Sequence, residues 1–228
     1  MKEEFLNTII ESQEKRQAIV YLLNIDNHDE KILYPNEKTG NKELDVKLLE
    51  CIRSDKSMLL SIDNQNYFID IYNPPLKLII IGAVHIAQHL ILFAKNLNFD
   101  CILIDPREGF ANAERFPGVK IYNNWPDEVM NDIDIDHRTA IVTLTHDPKI
   151  DDVALRLVLK CECFYIGSLG SRKTHLSRLD RLGLDFNSSD LKRIHGPIGL
   201  NIGARTPVEI ALSIVGEIVS ILRKLIEI

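Results

Sequence analysis

The chain has 228 residues, 45% hydrophobic and 26% charged, with 11 glycines and 9 prolines, which is globular composition and excludes a disordered or fibrous chain. A formal net charge of -6 excludes a broad basic footprint for nucleic acid and a polybasic membrane-binding stretch. No signal-peptide core follows Met1, the most apolar run (Leu76 to Ile81) is too short to cross a bilayer, and Cys51, Cys101, Cys161 and Cys163 do not form a secreted disulfide framework, so a cytoplasmic, reduced protein is expected.

In chain order, Phe5, Ile9 and Ile10 mark one side of a first helix. Ala18 to Leu23 and Lys31 to Tyr34 read as strands, and Asp45 to Ile52 has helical spacing through Val46, Leu49 and Ile52. Met58 to Ile62 and Tyr67 to Ile71 flank Asp63-Asn64-Gln65-Asn66, a hairpin turn. Asn73-Pro74-Pro75 removes two backbone donors and forces an extended segment, so a domain boundary falls there. Residues 1–73 form a small α+β domain with no chemical constellation, read as a packing or interaction module.

Residues 76–228 follow another pattern. Strands are expected at Leu76 to Ile81, Cys101 to Ile104, Val119 to Tyr122, Thr139 to Leu144 and Cys163 to Ile166. Helices are expected at Ile86 to Leu97, Ile150 to Leu159, Ser171 to Leu182 and Thr206 to Lys224, the last with Pro207 in its first turn. Strands without polar alternation are buried on both faces, which predicts a parallel sheet covered by helices. The expected fold class is therefore α/β, with a doubly wound, mostly parallel Rossmann-like sheet after the small α+β domain.

Ile81-Gly82-Ala83-Val84-His85-Ile86-Ala87 leads from a strand into a helix, the context of the dinucleotide fingerprint Gly-x-Gly-x-x-Gly/Ala. Gly82 suits the tight turn and Ala87 the close helix–strand contact. Val84 replaces the glycine that lets the backbone approach a pyrophosphate, which disfavours NAD(P), while the helix N-terminus still offers free amides. Asp105, 23 residues after Gly82, is placed to bind a ribose diol.

Ligands of such sheets bind beyond the carboxyl ends of the strands. Four further polar clusters fall there: Asp105-Pro106-Arg107-Glu108, Thr145-His146-Asp147, the stretch from Gly167 to Lys173, and the stretch from Arg193 to Pro207. Gly167, Ser168, Ser171 and Arg172, with Lys173, make the best second anion site; a solvated helix face is the alternative for the two cations. His146 is a candidate ligand or base, with a structural hydrogen-bonding role as alternative, and Thr145 is a candidate helix cap. Cys161 and Cys163 are expected on one face of a strand, in buried packing rather than around a soft metal. No catalytic triad, nucleophile elbow or Walker loop is present, and no catalytic or metal-ligating set is assigned.

These motifs, in this order, resemble the xanthine dehydrogenase accessory protein (XdhC/CoxI-type) family over about residues 67–224, most specifically in Tyr165 to Lys173 and Arg193 to Pro207. The resemblance implies an accessory protein that binds molybdenum cofactor (molybdopterin) and delivers it, often after sulfuration, to the apo-enzyme of a molybdenum hydroxylase of the xanthine or carbon monoxide dehydrogenase type. It also implies a homodimer, a cysteine desulfurase as a further candidate partner, and a chaperone rather than a turnover enzyme. On that basis Gly82, Ala83, His85, Asp105, Arg107, Thr145, His146, Gly167, Ser168, Ser171, Arg172, His195 and Arg205 are the candidate cofactor-binding residues. Two departures stand out: Val84 in the turn, and the absence before Pro75 of the family's Gly/Ser-rich and Gly-Gly-Cys-like segments. The competing readings are an NAD(P)-dependent oxidoreductase and a non-catalytic interaction module with a degenerate nucleotide site.

Overall fold

The computed structural model describes residues 3–107 and 109–224. The expected second domain is thus described to residue 224; residues 225–228, and Glu108 of the second polar cluster, lie outside the described residues. Two compact units are distinguished: one takes the chain up to Pro75 together with Arg223 and Lys224, and the other spans Leu76–Leu222, so the second unit stops short of the expected end.

The first unit holds helix α1 (Glu3–Glu14), strands β1 (Ile19–Asn24) and β2 (Glu30–Leu33), helix α2 (Lys42–Ser54), and strands β3 (Met58–Ile62) and β4 (Gln65–Tyr72). The four strands are antiparallel in the order β2-β1-β4-β3. Alternation along β1 explains the layering: Val20 and Leu22 pack with Leu44, Leu48 and Cys51 of α2, while Tyr21 meets Phe5 of α1 edge-on. Ile9 is buried on α1, but Ile10 is exposed, because adjacent helical residues point about 100° apart. The β3–β4 turn needs only Asp63 and Asn64, both at positive φ, as a two-residue hairpin requires; Gln65 and Asn66 already belong to β4. Asn41 caps α2 by accepting from the amides of Glu43 and Leu44.

The second unit runs β5 (Leu76–Ile81), α3 (His85–Asn96), β6 (Phe99–Ile104), β7 (Lys120–Tyr122), α4 (Pro126–Val129) with a following 3-10 turn (Met130–Asp132), β8 (Thr139–Thr143), α5 (Pro148–Val158), β9 (Tyr165–Ser168), α6 (Arg172–Leu182), α7 (Ser188–Leu191), β10 (Ile194–His195) and α8 (Pro207–Lys224). Its six strands are parallel in the order β10-β9-β8-β5-β6-β7, the doubly wound arrangement. β5 shows why its apolar run is unbroken. Leu78 and Ile80 enter one core with Leu90, Ala94, Ala211 and Ile214, and Ile79 and Ile81 enter the opposite core with Leu155 and Val158. Each such buried Leu, Ile or Val side chain stabilises the fold by about 1.5–3 kcal/mol before entropy is counted.

The expected strand at Cys163 to Ile166 is displaced to Tyr165–Ser168, so Cys161 and Cys163 lie in the connection before it. Cys163 is buried and Cys161 half-buried, both as free thiols. The short elements α4, α7 and β10 carry too few residues to leave a periodic signal.

Candidate functional site at the carboxyl edge of the parallel sheet

Because all six strands run the same way, their carboxyl ends share one edge. Connections diverge from β5 and β8, which are neighbours, so the switch point lies between the turn after β5 and the loop after β8. Gly82 occupies that place at φ 113°, a conformation natural to glycine. A Cβ on Gly82 would sit 2.7 Å from Thr145 Cγ2 and 3.1 Å from the Thr145 amide, so the two loops are pressed together.

The turn is also held from the other side. The Gly82 amide donates to the Ile104 carbonyl at 2.8 Å, and the Ala83 amide donates to Asp105 Oδ2 at 2.7 Å. Asp105 is fully buried and takes three more hydrogen bonds, from the backbone amide, Nε and Nη2 of Arg107 at 3.0, 2.8 and 2.6 Å. Burial pushes its carboxyl up, but the Arg107 and Ala83 hydrogen bonds outweigh that and hold it below the ordinary aspartate range. All four bonds are internal, so the expected ribose acceptor instead braces the phosphate turn. Arg107 is spent on Asp105 and on the Phe110 ring, 4.4 Å below its guanidinium carbon. Arg115 completes the brace by donating to the Ala83 carbonyl at 2.9 Å and the Phe110 carbonyl at 2.6 Å.

With Ala83 engaged, the anion-binding capacity of the turn moves into α3. Val84 is its cap residue, makes no side-chain capping bond, and is half-buried against the core cluster. The Ala87 amide folds back to the Val84 carbonyl at 3.0 Å. The amides of His85 and Ile86 therefore open the helix without an intrahelical acceptor, at the positive end of its dipole. The His85 side chain is exposed beside them.

Beyond β8, Thr145 is buried, and its hydroxyl donates to Asp151 Oδ1 at 2.6 Å and accepts from the Asp147 amide at 3.0 Å. The cap of α5 is Asp147, which accepts from Lys149, so the expected capping role of Thr145 passes to its neighbour. His146 is exposed at φ 62°, and its amide donates to Asp151 Oδ2 at 3.1 Å. Asp151 is buried; burial raises its pKa, against the hydrogen bonds of Thr145 and the charge of Arg178.

Beyond β9, the expected anion loop divides into an inner and an outer part. Ser168 is fully buried and pairs its hydroxyl with that of Thr143 across β8 and β9. Gly167 lies against Ile198, whose side chain occupies the space a Cβ would need. Ser171 caps α6, accepting from the Thr174 amide at 3.1 Å, and Arg172 and Lys173 follow it exposed. Beneath the loop, Arg178 is 2% exposed; Nη2 donates to the Leu169 carbonyl at 2.9 Å, while Nε and Nη1 have no hydrogen-bond partner among the described residues. Burial lowers its pKa against the opposing charges of Asp151 and Asp152.

At the edge strand β10, His195 stacks on Tyr165, with ring centroids 4.9 Å apart and planes 25° from parallel. Its Nδ1 lies 3.5 Å from Glu217 Oε1. Glu217 Oε2 accepts from the Tyr165 hydroxyl at 2.5 Å and the Gly199 amide at 2.9 Å. Burial raises the Glu217 pKa, but the nearby His195 and the hydrogen bonds from Tyr165 and Gly199 carry it below the ordinary glutamate value. Arg205 is exposed just before α8, whose first residue, Pro207, is ten helical residues from Glu217, about 15 Å along the axis.

The fold thus brings Gly82, Ala83, Thr145, Gly167 and Ser168 to one sheet edge, with His85, His146, Ser171 and Arg172 exposed around it, and leaves Arg205 apart from His195. Sequence reasoning missed Arg115, Asp151, Arg178 and Glu217. Glu217 alone carried a signal, as a charge within the apolar run Ile214 to Ile221. Among the described residues no cluster of His, Cys, Asp or Glu is arranged to hold a metal ion, and no helix is long and apolar enough to cross a membrane.

A family model described as the XdhC Rossmann domain matches residues 78–218. Over 206 residues the chain is 27% identical to a probable xanthine dehydrogenase subunit of Bacillus subtilis (strain 168), covering 89% of this chain and 60% of that protein. Over 159 residues it is 28% identical to the molybdenum cofactor insertion chaperone PaoD of Escherichia coli (strain K12), covering 69% of this chain and 44% of the relative. The chain therefore spans less than two thirds of the length of either relative. A crystal structure described as a xanthine dehydrogenase from Bacillus halodurans superposes with a TM-score of 0.72 at 22% identity, over 97% of this chain and 64% of that one, and so shares its fold.

Proposed function

The chain belongs to the family of the XdhC Rossmann domain, and from that premise we propose that it is an accessory protein that binds molybdenum cofactor and assists maturation of a molybdenum hydroxylase. The observation that carries this reading is the N-terminus of α3 at the switch point. Its uncapped amides at His85 and Ile86 suit the phosphate of molybdopterin, and the edge beyond β9 adds Ser171 and the exposed Arg172. The names of two relatives, a molybdenum cofactor insertion chaperone and a probable xanthine dehydrogenase subunit, support the same direction. When bound, the cofactor would supply the molybdenum redox chemistry of the client; the residues of this chain would hold and orient it. A molybdenum hydroxylase apo-enzyme is the proposed partner, with a second copy of this chain and a cysteine desulfurase as further proposed partners.

The test is anaerobic incubation of the purified protein with molybdopterin, followed by gel filtration and by transfer to an apo-hydroxylase. Co-elution of the cofactor and a gain of hydroxylase activity are expected. Cofactor that elutes free, with no gain in activity, overturns the proposal. The oxidoreductase alternative has less support, since Asp105, the residue that would hold a ribose diol, is saturated by Ala83 and Arg107.

A further inference from the structure

His195, Glu217 and Tyr165 come from β10, α8 and β9 and form one arrangement that the phosphate site does not use. The imidazole is partly exposed, lies nearly flat on the Tyr165 ring and faces the carboxylate with Nδ1 only. The carboxylate is held by two donors from separate segments, the Tyr165 hydroxyl and the Gly199 amide, so it has little freedom to turn away. A neutral imidazole beside such a carboxylate carries its proton on the facing nitrogen, which leaves the other as an acceptor.

We propose that Glu217 is a positioning residue that fixes His195 in the Nδ1–H form, so that Nε2 presents a lone pair to an N–H donor on a nitrogen-rich ring of the guest. This rests on the carrier reading above and extends it to the ring end of the same guest. β10 stands three strand spacings from β5, about 14 Å across the sheet, so a ring contact at His195 is a separate contact from the phosphate contact at the α3 N-terminus. A pterin offers ring and amino N–H groups that match an imidazole acceptor, and Tyr165 keeps the imidazole plane in place.

The test uses the full chain with isotope-labelled histidine, the His195 ring nitrogens being assigned by loss of signal in His195→Gln. At alkaline pH the wild type should show a protonated Nδ1 and an unprotonated Nε2, and added molybdopterin should shift the Nε2 signal. Glu217→Gln should give mixed tautomers and about tenfold weaker molybdopterin binding. Tyr165→Phe, which keeps the carboxylate, should retain the wild-type tautomer. A proton on Nε2 in the wild type overturns the proposal even if Glu217→Gln fails to fold, as do an unchanged tautomer in a folded Glu217→Gln and unchanged affinity despite a changed tautomer. If the wild type binds no molybdopterin, the carrier reading and the ring contact fail together, while the tautomer still decides the role of Glu217.

Discussion

The backbone amide of Ala83 donates to the carboxylate of Asp105 across 2.7 Å, joining the turn after the first strand of the parallel sheet to the end of its neighbour. Through this bond a residue suited to a ribose becomes the support on which the phosphate turn rests. Arg107 closes the other side of the same carboxylate, so turn, acid and guanidinium form one unit.

Asp105→Asn should cost about 2–3 kcal/mol, since the substitution removes the charge and sets an amide N–H₂ against the Arg107 or Ala83 donors, although partial exposure of Arg107 limits the loss. Asp105 has a folded pKa below its unfolded value, so its contribution is complete above the ordinary aspartate range near pH 4 and is lost as pH falls through the lower, folded value. Urea titrations of both proteins across pH should show a constant gap above about pH 5 that closes in acid. A gap that widens in acid would refute the assignment.

Gly82→Ala should lower stability by about 2 kcal/mol or more, because it combines a positive φ with a Cβ 2.7 Å from Thr145 Cγ2. The matched variant Gly40→Ala also sits at positive φ but meets nothing within 4 Å, so it isolates the steric part. Thermal unfolding should place Gly82→Ala well below Gly40→Ala; equal midpoints would show that the Thr145 contact yields without cost.

Arg172→Ala should leave unfolding within about 0.5 kcal/mol of wild type, as an exposed first-turn residue of α6, yet weaken molybdopterin binding by about 1–3 kcal/mol. Calorimetric titration against chemical denaturation separates the two effects. Unchanged affinity would remove Arg172 from the site.

Ser168→Ala should behave in the opposite way. It strands the Thr143 hydroxyl in a dry interior and should cost about 1 kcal/mol of stability with no change in cofactor affinity. Loss of affinity without loss of stability would return Ser168 to the ligand.

Legibility followed burial and length. Leu76 to Ile81 and Thr139 to Thr143 were readable because strands covered on both faces need unbroken apolar runs. The turn at Gly82 was readable because few residues other than glycine suit its backbone state. Ile10 and the strand at Cys163 misled, since an apolar side chain shows neither which side of a helix it occupies nor where a short strand begins. Among the site residues, Asp105, Ser168 and Thr145 were visible as polar groups at strand ends, but their partners were not: Ala83, Thr143 and Asp151 lie 22, 25 and 6 residues away.

By itself the sequence determined a parallel sheet buried on both faces and a set of polar loops at strand ends, because backbone restriction and hydrophobic patterning are local properties. Only the tertiary structure decided which of those polar groups face one another. Hydrogen bonding is spent pairwise: Asp105 and Ser168 are consumed inside the protein, His195 gains the unforeseen carboxylate of Glu217, and the α3 amides are left open because no side chain from elsewhere reaches them among the described residues.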